Sequence, residues 1–250
     1  MLDDYTDNDK LELYDDTMEL PFIKDFRLYT LLKLYDFKGK TVLDCPCSTG
    51  EYTKIFLEKG AKYVLGSDIV PEQIEFAKKK LEKVYPKYTK KPYSFLVHDS
   101  KISKQLITNF EVDIAIILHL FCFAKNYQEL LKMVSFVYKN LKKGGKIVSF
   151  HCCPINSGQE KEFEKLNGKI ITYKEFKNKD EPGFLHTNIA DTFDLIRYIY
   201  PNSIVEKALL DVGFKEVKYQ PYQLNPDTQF PELLCKHQKT CDYYFLEATK

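Results

Sequence analysis

The sequence has no uninterrupted apolar run of about 20 residues, the length a helix needs to cross a bilayer. It also has no secretory hydrophobic segment at its start, so the expectation is a soluble chain in the reducing cytoplasm with no membrane partner. Charge of one sign is missing too. Its 37 basic and 36 acidic residues give a net charge of +1, which supplies no global pull toward nucleic acid or lipid. The seven cysteines fall irregularly. Neither Cys45/Cys47 nor Cys152/Cys153 makes a four-ligand metal spacing, so free thiols and no metal are expected. Internal repeats and low-complexity tracts are absent. Enough remains for a core, since 44% of the residues are hydrophobic and burial can offset the entropy of ordering.

Local charge is less even. Residues 1–20 hold eight acids and one lysine, and Lys78–Lys91 holds seven lysines and one acid. The basic stretch reads as a solvated helix face, with a phosphate-binding surface as the alternative. Met1–Lys10 reads as a loose polar arm. Leu11–Leu34 is amphipathic, with Pro21 placed to open a leading helix and Gly39 following its end. The whole chain is expected to be a single domain over residues 1–250. Residues 1–35 would be the arm and leading helix.

A repeated strand–turn–helix pattern follows. Thr41–Asp44 is a short apolar strand, Glu51–Lys59 a helix ending at Gly60, and Tyr63–Gly66 a second strand closing on Asp68. Pro71 opens a helix with Ile74, Ala77, Leu81 and Val84 on its apolar face. Phe95–Val97 leads to His98-Asp99. Val112–Leu118, polar only at Asp113, has the pattern of a central parallel strand buried on both faces. Tyr127–Tyr138 is a helix, Gly144-Gly145 a turn and Lys146–Phe150 a fifth strand. The alternation predicts an α/β fold with a doubly wound, mostly parallel sheet. Ligands bind such sheets at the carboxyl ends of the strands, here Asp44–Gly50, Asp68, His98-Asp99, His119–Phe123 and His151–Cys153.

After Pro154 the pattern changes. Residues 154–203 read as a cap or substrate-side insertion, with short strands at Lys169–Tyr173 and Leu185–Ala190. Regular order resumes with a helix at Ile204–Leu210 and strands at Phe214–Tyr219 and Tyr243–Ala248.

A tight strand-to-helix turn presents backbone N–H groups to a ligand, and an acid at the next strand end can hold a ribose. Asp68 lies 24 residues after Asp44, a spacing that fits a dinucleotide or another nucleoside cofactor. The G-x-G-x-x-G fingerprint of nicotinamide enzymes is absent from Cys45–Glu51. In order, Val42–Gly50, Asp68–Ile74, His98-Asp99, Leu141–Gly145 and Leu209–Phe214 resemble the motifs of the class I S-adenosylmethionine-dependent methyltransferases, and Tyr14–Arg27 and His119–Lys125 resemble the small-molecule subgroup. The resemblance implies seven strands, with a C-terminal antiparallel strand, and S-adenosylmethionine as cofactor. It also implies methyl transfer to an oxygen or nitrogen of a small molecule.

Carried over by position, Asp44 orients the turn and the amino-acid end of the cofactor, and Gly50 allows close approach at the helix start. Asp68 accepts from the ribose hydroxyls, Ile69 packs beside the adenine and Asp99 meets its amino group. Cys45, Pro46, Cys47, Ser48, Ser100 and Leu118 complete the implied cofactor shell. The sequence departs from the family at Pro46 and Ser48, where glycines are usual; proline fixes φ and removes a donor. A cofactor-binding protein without efficient turnover is therefore one alternative. A protein or nucleic-acid methyltransferase is another, although the Asn/Asp-Pro-Pro-aromatic signature is missing at Leu118–Phe121.

Methyl transfer from a sulfonium needs alignment, and a base where the nucleophile arrives protonated. His119 and His151 are the candidate catalytic residues, each with a structural histidine as the competing reading. Tyr14, Phe121, Phe123, Phe184 and Tyr198 are candidates for an apolar lid, with His186 reaching in from the cap. Arg27 is placed to meet a substrate carboxylate or to lie on the surface. His98 is read as packing on the adenine side.

Overall fold

The computed structural model describes residues 20, 22–86, 91–107, 109–167, 169–189, 193–241 and 243–250. Tyr14 and Pro21 lie outside them. Seven strands, β1 (Thr41–Asp44), β2 (Tyr63–Asp68), β3 (Tyr93–Val97), β4 (Val112–Leu118), β5 (Leu141–Phe150), β9 (Lys215–Pro221) and β10 (Tyr244–Thr249), form one sheet in the order β3-β2-β1-β4-β5-β10-β9. The first five run parallel, and β10 lies antiparallel between β5 and β9.

Both faces of this sheet are covered, as a parallel sheet requires. On β4, Ile114, Ile116 and Leu118 enter one core cluster with Val42, Phe56 and Val148, while Ala115 and Ile117 enter another with Leu43, Leu65 and Ile147. Three connecting helices follow their apolar spacing: α2 (Glu51–Glu58), α3 (Pro71–Val84) and α4 (Tyr127–Asn140). Pro71 stands in the first turn of α3, where its missing N–H costs nothing. Ile74, Ala77 and Leu81 are buried there as expected, but Val84, at the frayed end, is exposed. The Asn126 side chain accepts from the Glu129 N–H at 3.0 Å and so caps α4.

The leading segment is not one regular helix. Phe22–Leu28 is a π-helical turn that passes into α1 (Tyr29–Leu34). The turn is anchored through Asp25, which accepts from Asn225 Nδ2 at 3.0 Å and Thr228 Oγ1 at 2.7 Å.

Between β5 and α6 (Asn202–Val212), residues 160–199 build a separate unit. It comprises α5 (Glu160–Asn167) and a three-stranded antiparallel sheet of β6 (Lys169–Lys174), β7 (Gly183–Ile189) and β8 (Phe193–Ile199). Strands β6 and β7 occupy the stretches read as strands in the sequence. Strand β8 and the helix α7 (Pro231–Thr240) were not anticipated.

Candidate active site at the carboxyl ends of the strands

The β1–α2 turn is clamped by the end of β2. The Cys47 N–H donates to Ser67 O at 3.0 Å, and the Ser48 N–H donates to Asp68 Oδ2 at 3.0 Å. The Cys45–Pro46 peptide is cis, and Ser48 adopts φ 46°, a left-handed conformation that costs a side-chain-bearing residue energy. Both cysteine side chains turn inward. Cys45 packs with Leu43 and Leu65, Cys47 with Ile74, Ala77 and Phe95, and burial pushes both thiols well above their ordinary range. Gly50 was expected to make room for a ligand, and the geometry gives a different reason. A Cβ there would meet Ala77 Cβ at 3.0 Å and Phe95 Cζ at 3.1 Å, so the glycine lets α2 begin against α3.

Two carboxylates are buried behind this turn. Asp44 is 2% exposed and accepts from Thr53 Oγ1 at 2.6 Å, which ties β1 to the first turn of α2. Burial pushes its pKa up to about 7 against the pull of the Thr53 bonds, and the charge of Asp68 adds to the rise. Asp68 accepts backbone N–H groups from Ser48 and, at 3.1 Å, from Val70; burial raises its pKa despite these bonds. At the end of β3, Asp99 is only partly buried and accepts the Lys101 N–H at 2.9 Å, while Ser100 is buried. Ile69, Val97 and Ile102, apolar and 44%, 52% and 55% exposed, surround these two acids. His98 lies beneath them, its ring 5.1 Å from that of Phe136 and bonded to Ile102 O. Leu118 is buried in the core at the end of β4.

The raised Asp44 sets a pH dependence of stability. Its folded pKa of about 7 exceeds the 3.8 of the unfolded chain, so it favours folding below 3.8 and loses that contribution as pH rises through 7. Between pH 6 and 8 this group alone should lower unfolding free energy by about 1.4 kcal/mol. Urea titrations of the wild type and Asp44→Asn should show that difference in the former and not in the latter. Equal slopes would remove Asp44 as its source.

The reacting end lies across the rim. His119 follows β4 with φ 65°, and its N–H donates to Phe150 O at 2.6 Å. Arg27, read from sequence as a substrate contact or a surface residue, is neither on the surface nor solvated: it is 6% exposed. Its Nη1 donates to His119 Nε2 at 2.6 Å, its Nε to Tyr52 Oη at 2.9 Å, and its guanidinium lies over the rings of Tyr52 and Phe150. Arginine has no acceptor to offer, so Nε2 must carry the lone pair and Nδ1 the proton. That Nδ1 is buried and makes no hydrogen bond. Burial, then the charges of Arg27 and Arg197, hold His119 well below the usual histidine range. In this arrangement His119 is a neutral donor with no lone pair left for a substrate proton. His151 is 2% exposed, and burial brings it down to about 4.

The lid candidates separate. Phe121 is a core residue at 1% exposure, whereas Phe123, in the same short 3-10 turn, is 39% exposed. In the small sheet, Phe184 pairs with Tyr198 and His186 with Ile196, so both alternate away from the face of Leu185, Thr187, Arg197 and Ile199. His186 is bonded to Asp194 at 3.2 Å on that opposite side. Arg197 was missed by sequence reasoning. Its signal was a lone cation in register with the apolar Leu195 and Ile199.

Residues 42–145 match the model of a methyltransferase domain. Among solved structures, an S-adenosylmethionine-dependent methyltransferase of Clostridium acetobutylicum superposes with a TM-score of 0.60 at 15% identity, over 97% of this chain and 99% of that one. One from Mesorhizobium loti gives 0.59 at 14%, over 89% and 96%. The magnesium protoporphyrin IX methyltransferase of Synechocystis, solved with bound S-adenosylhomocysteine, gives 0.57 at 17%, over 99% and 96%. An uncharacterized protein of Haemophilus influenzae is 42% identical over 55 residues, which span 22% of this chain and 22% of that protein's length. The chain has the fold of the class I methyltransferases.

Proposed function

We propose, from that fold as premise, that this protein binds S-adenosylmethionine and transfers its methyl group to an oxygen or nitrogen of a small molecule. The observation that carries the reading is the rim itself, with buried Asp44 and Asp68 beside the half-exposed Asp99, Ile69, Val97 and Ile102. The residues fit the cofactor. Two buried carboxylates with raised pKa values favour a nearby cation. The apolar side chains around Asp68 and Asp99 offer an adenine a floor that would otherwise stay in water. Each Asp68 oxygen keeps accepting capacity beyond its backbone bonds, because a carboxylate has about four lone-pair sites. Bound S-adenosylmethionine supplies an electrophilic methyl carbon.

The chain's own residues position and shield the acceptor. Asp44 and Thr53 fix the turn, Asp68 and Asp99 hold the nucleoside, and Cys45, Pro46, Cys47 and Ser48 offer backbone carbonyls to the amino-acid end, their N–H groups being engaged within the protein or, at Pro46, absent. The 154–203 insertion acts as the cap, with Phe123 at its edge. His119 orients the acceptor through its Nδ1–H instead of removing a proton, and His151 supports it from below. Single-turnover rates should therefore show no inflection from His119 between pH 6 and 8, and His119→Ala should slow transfer by about 100-fold with cofactor affinity nearly unchanged. An inflection near 6.5 that vanishes in His119→Ala would restore the base role.

One observation favours a second reading. The Ser48 N–H is spent on Asp68, which leaves fewer donors at the turn. Equilibrium binding of S-adenosylmethionine followed by a radiolabelled-methyl assay over a metabolite panel decides between them. Binding with transfer supports the enzyme. Binding without it supports a cofactor-binding partner protein, and absence of binding rejects both.

A further inference from the structure

We propose that the small molecule taken by this site carries a carboxylate, received by the Arg197 guanidinium of the cap. The inference rests on reading the rim as an acceptor site and names what that acceptor must contain. Strand β8 pairs with β7 so that Arg197 stands opposite Leu185, on the same face as Thr187 and Ile199. Leu185, Thr187 and Ile199 are all 0% exposed, so Arg197 is carried on the buried face of the small sheet. Leu185 and Ile199 of that face pack in one core cluster with Leu118, Cys122, Phe150, Cys152 and Cys241, and the charge of Arg197 acts on His119, Cys122, Cys152 and Cys241. The guanidinium therefore stands where the cap meets the carboxyl ends of the central strands.

Its bonding is incomplete. Arg197 Nη2 donates to Thr187 Oγ1 at 2.6 Å, while its Nε is buried without a hydrogen bond. Among the described residues, no carboxylate lies within ion-pair distance of it. Arg197 is half-buried, and its Nε is a desolvated donor that an incoming acceptor would satisfy. The His119 Nδ1–H is another buried donor without a hydrogen bond. Two buried donors that face no protein acceptor select an anion over a neutral amide, and the fork of arginine matches the two oxygens of a carboxylate. Thr187 is a positioning residue, since it holds Nη2 while Nε has no hydrogen bond.

The test uses the full chain loaded with S-adenosylhomocysteine, titrated at constant ionic strength with benzoate, benzamide and inorganic phosphate and followed by ligand-observed NMR. Benzoate should bind at least 10-fold more tightly than benzamide or phosphate. Arg197→Gln should abolish that preference, Arg197→Lys should keep part of it, and both should hold S-adenosylhomocysteine within about twofold of wild type. Equal binding of benzoate and benzamide by the wild type overturns the proposal without recourse to a variant that must fold. So does tighter phosphate binding, or a preference that survives Arg197→Gln. Loss of S-adenosylhomocysteine affinity in Arg197→Gln also overturns it, because Arg197 would then serve the cofactor's own carboxylate. If the wild type does not bind S-adenosylhomocysteine, the cofactor reading fails, and the benzoate–benzamide comparison without it still decides the role of Arg197.

Discussion

Asp68→Ala is expected to weaken S-adenosylmethionine binding by about 100-fold or more, as charge-assisted hydrogen bonds to the ribose are lost at a buried position. The loss is compounded within the protein. Asp68 Oδ2 accepts the Ser48 N–H and Oδ1 accepts the Val70 N–H, so removing the carboxylate frees the turn that faces the cofactor and the segment that carries Ile69. Asp68→Asn separates these contributions. It keeps one oxygen for a backbone donor but places an amide where an acceptor is needed, and it should fall between wild type and alanine. Titration calorimetry at pH 7.5 reads both variants. An alanine variant that binds with wild-type affinity would remove Asp68 from the site.

The second large effect is on stability. Gly50→Ala should lower the unfolding free energy by roughly 2–4 kcal/mol, from a left-handed backbone that disfavours a Cβ and from overpacking of the α2–α3 contact. The backbone there has φ 78°, and the added methyl would meet Ala77 Cβ at 3.0 Å. For a chain of this size that corresponds to a fall in Tm of roughly 5–15 °C. A two-sided control is available in Ala77→Gly, which should recover part of the loss in combination with Gly50→Ala. A Gly50→Ala protein with unchanged Tm and weakened cofactor binding would instead return this glycine to the ligand.

What the sequence revealed and what it concealed divide along the range of the interactions. Strand β4 and helix α3 were legible because burial on both faces, and on one face, leaves a periodic apolar pattern in consecutive residues. The placement of Asp44, Asp68 and Asp99 at strand ends was legible because each closes or follows a short apolar run. Arg27 was not. Its burial depends on His119 and Tyr52, 92 and 25 residues away, and no local pattern announces that a cation will be enclosed. The protonation of His119 follows from the same distant contact. Strand β8 was hidden because Asp194 and Arg197 interrupt its apolar residues on both faces, and α7 because lysines and polar residues dilute its apolar face. Gly50 was recognised as special, but for a reason that lay in α3 and β3.

The small sheet leaves the main chain just after Cys153 and returns at Asn202, and these two residues touch, Cys153 Sγ lying 3.4 Å from Asn202 Oδ1. An inserted unit whose two ends meet at one point can be exchanged for another without altering the strand order around it. The three acids at the strand ends lie outside it, and Arg197 lies within it. Replacing one contiguous stretch of gene would therefore exchange Arg197 and the face that carries it, while Asp44, Asp68 and Asp99 stay in place.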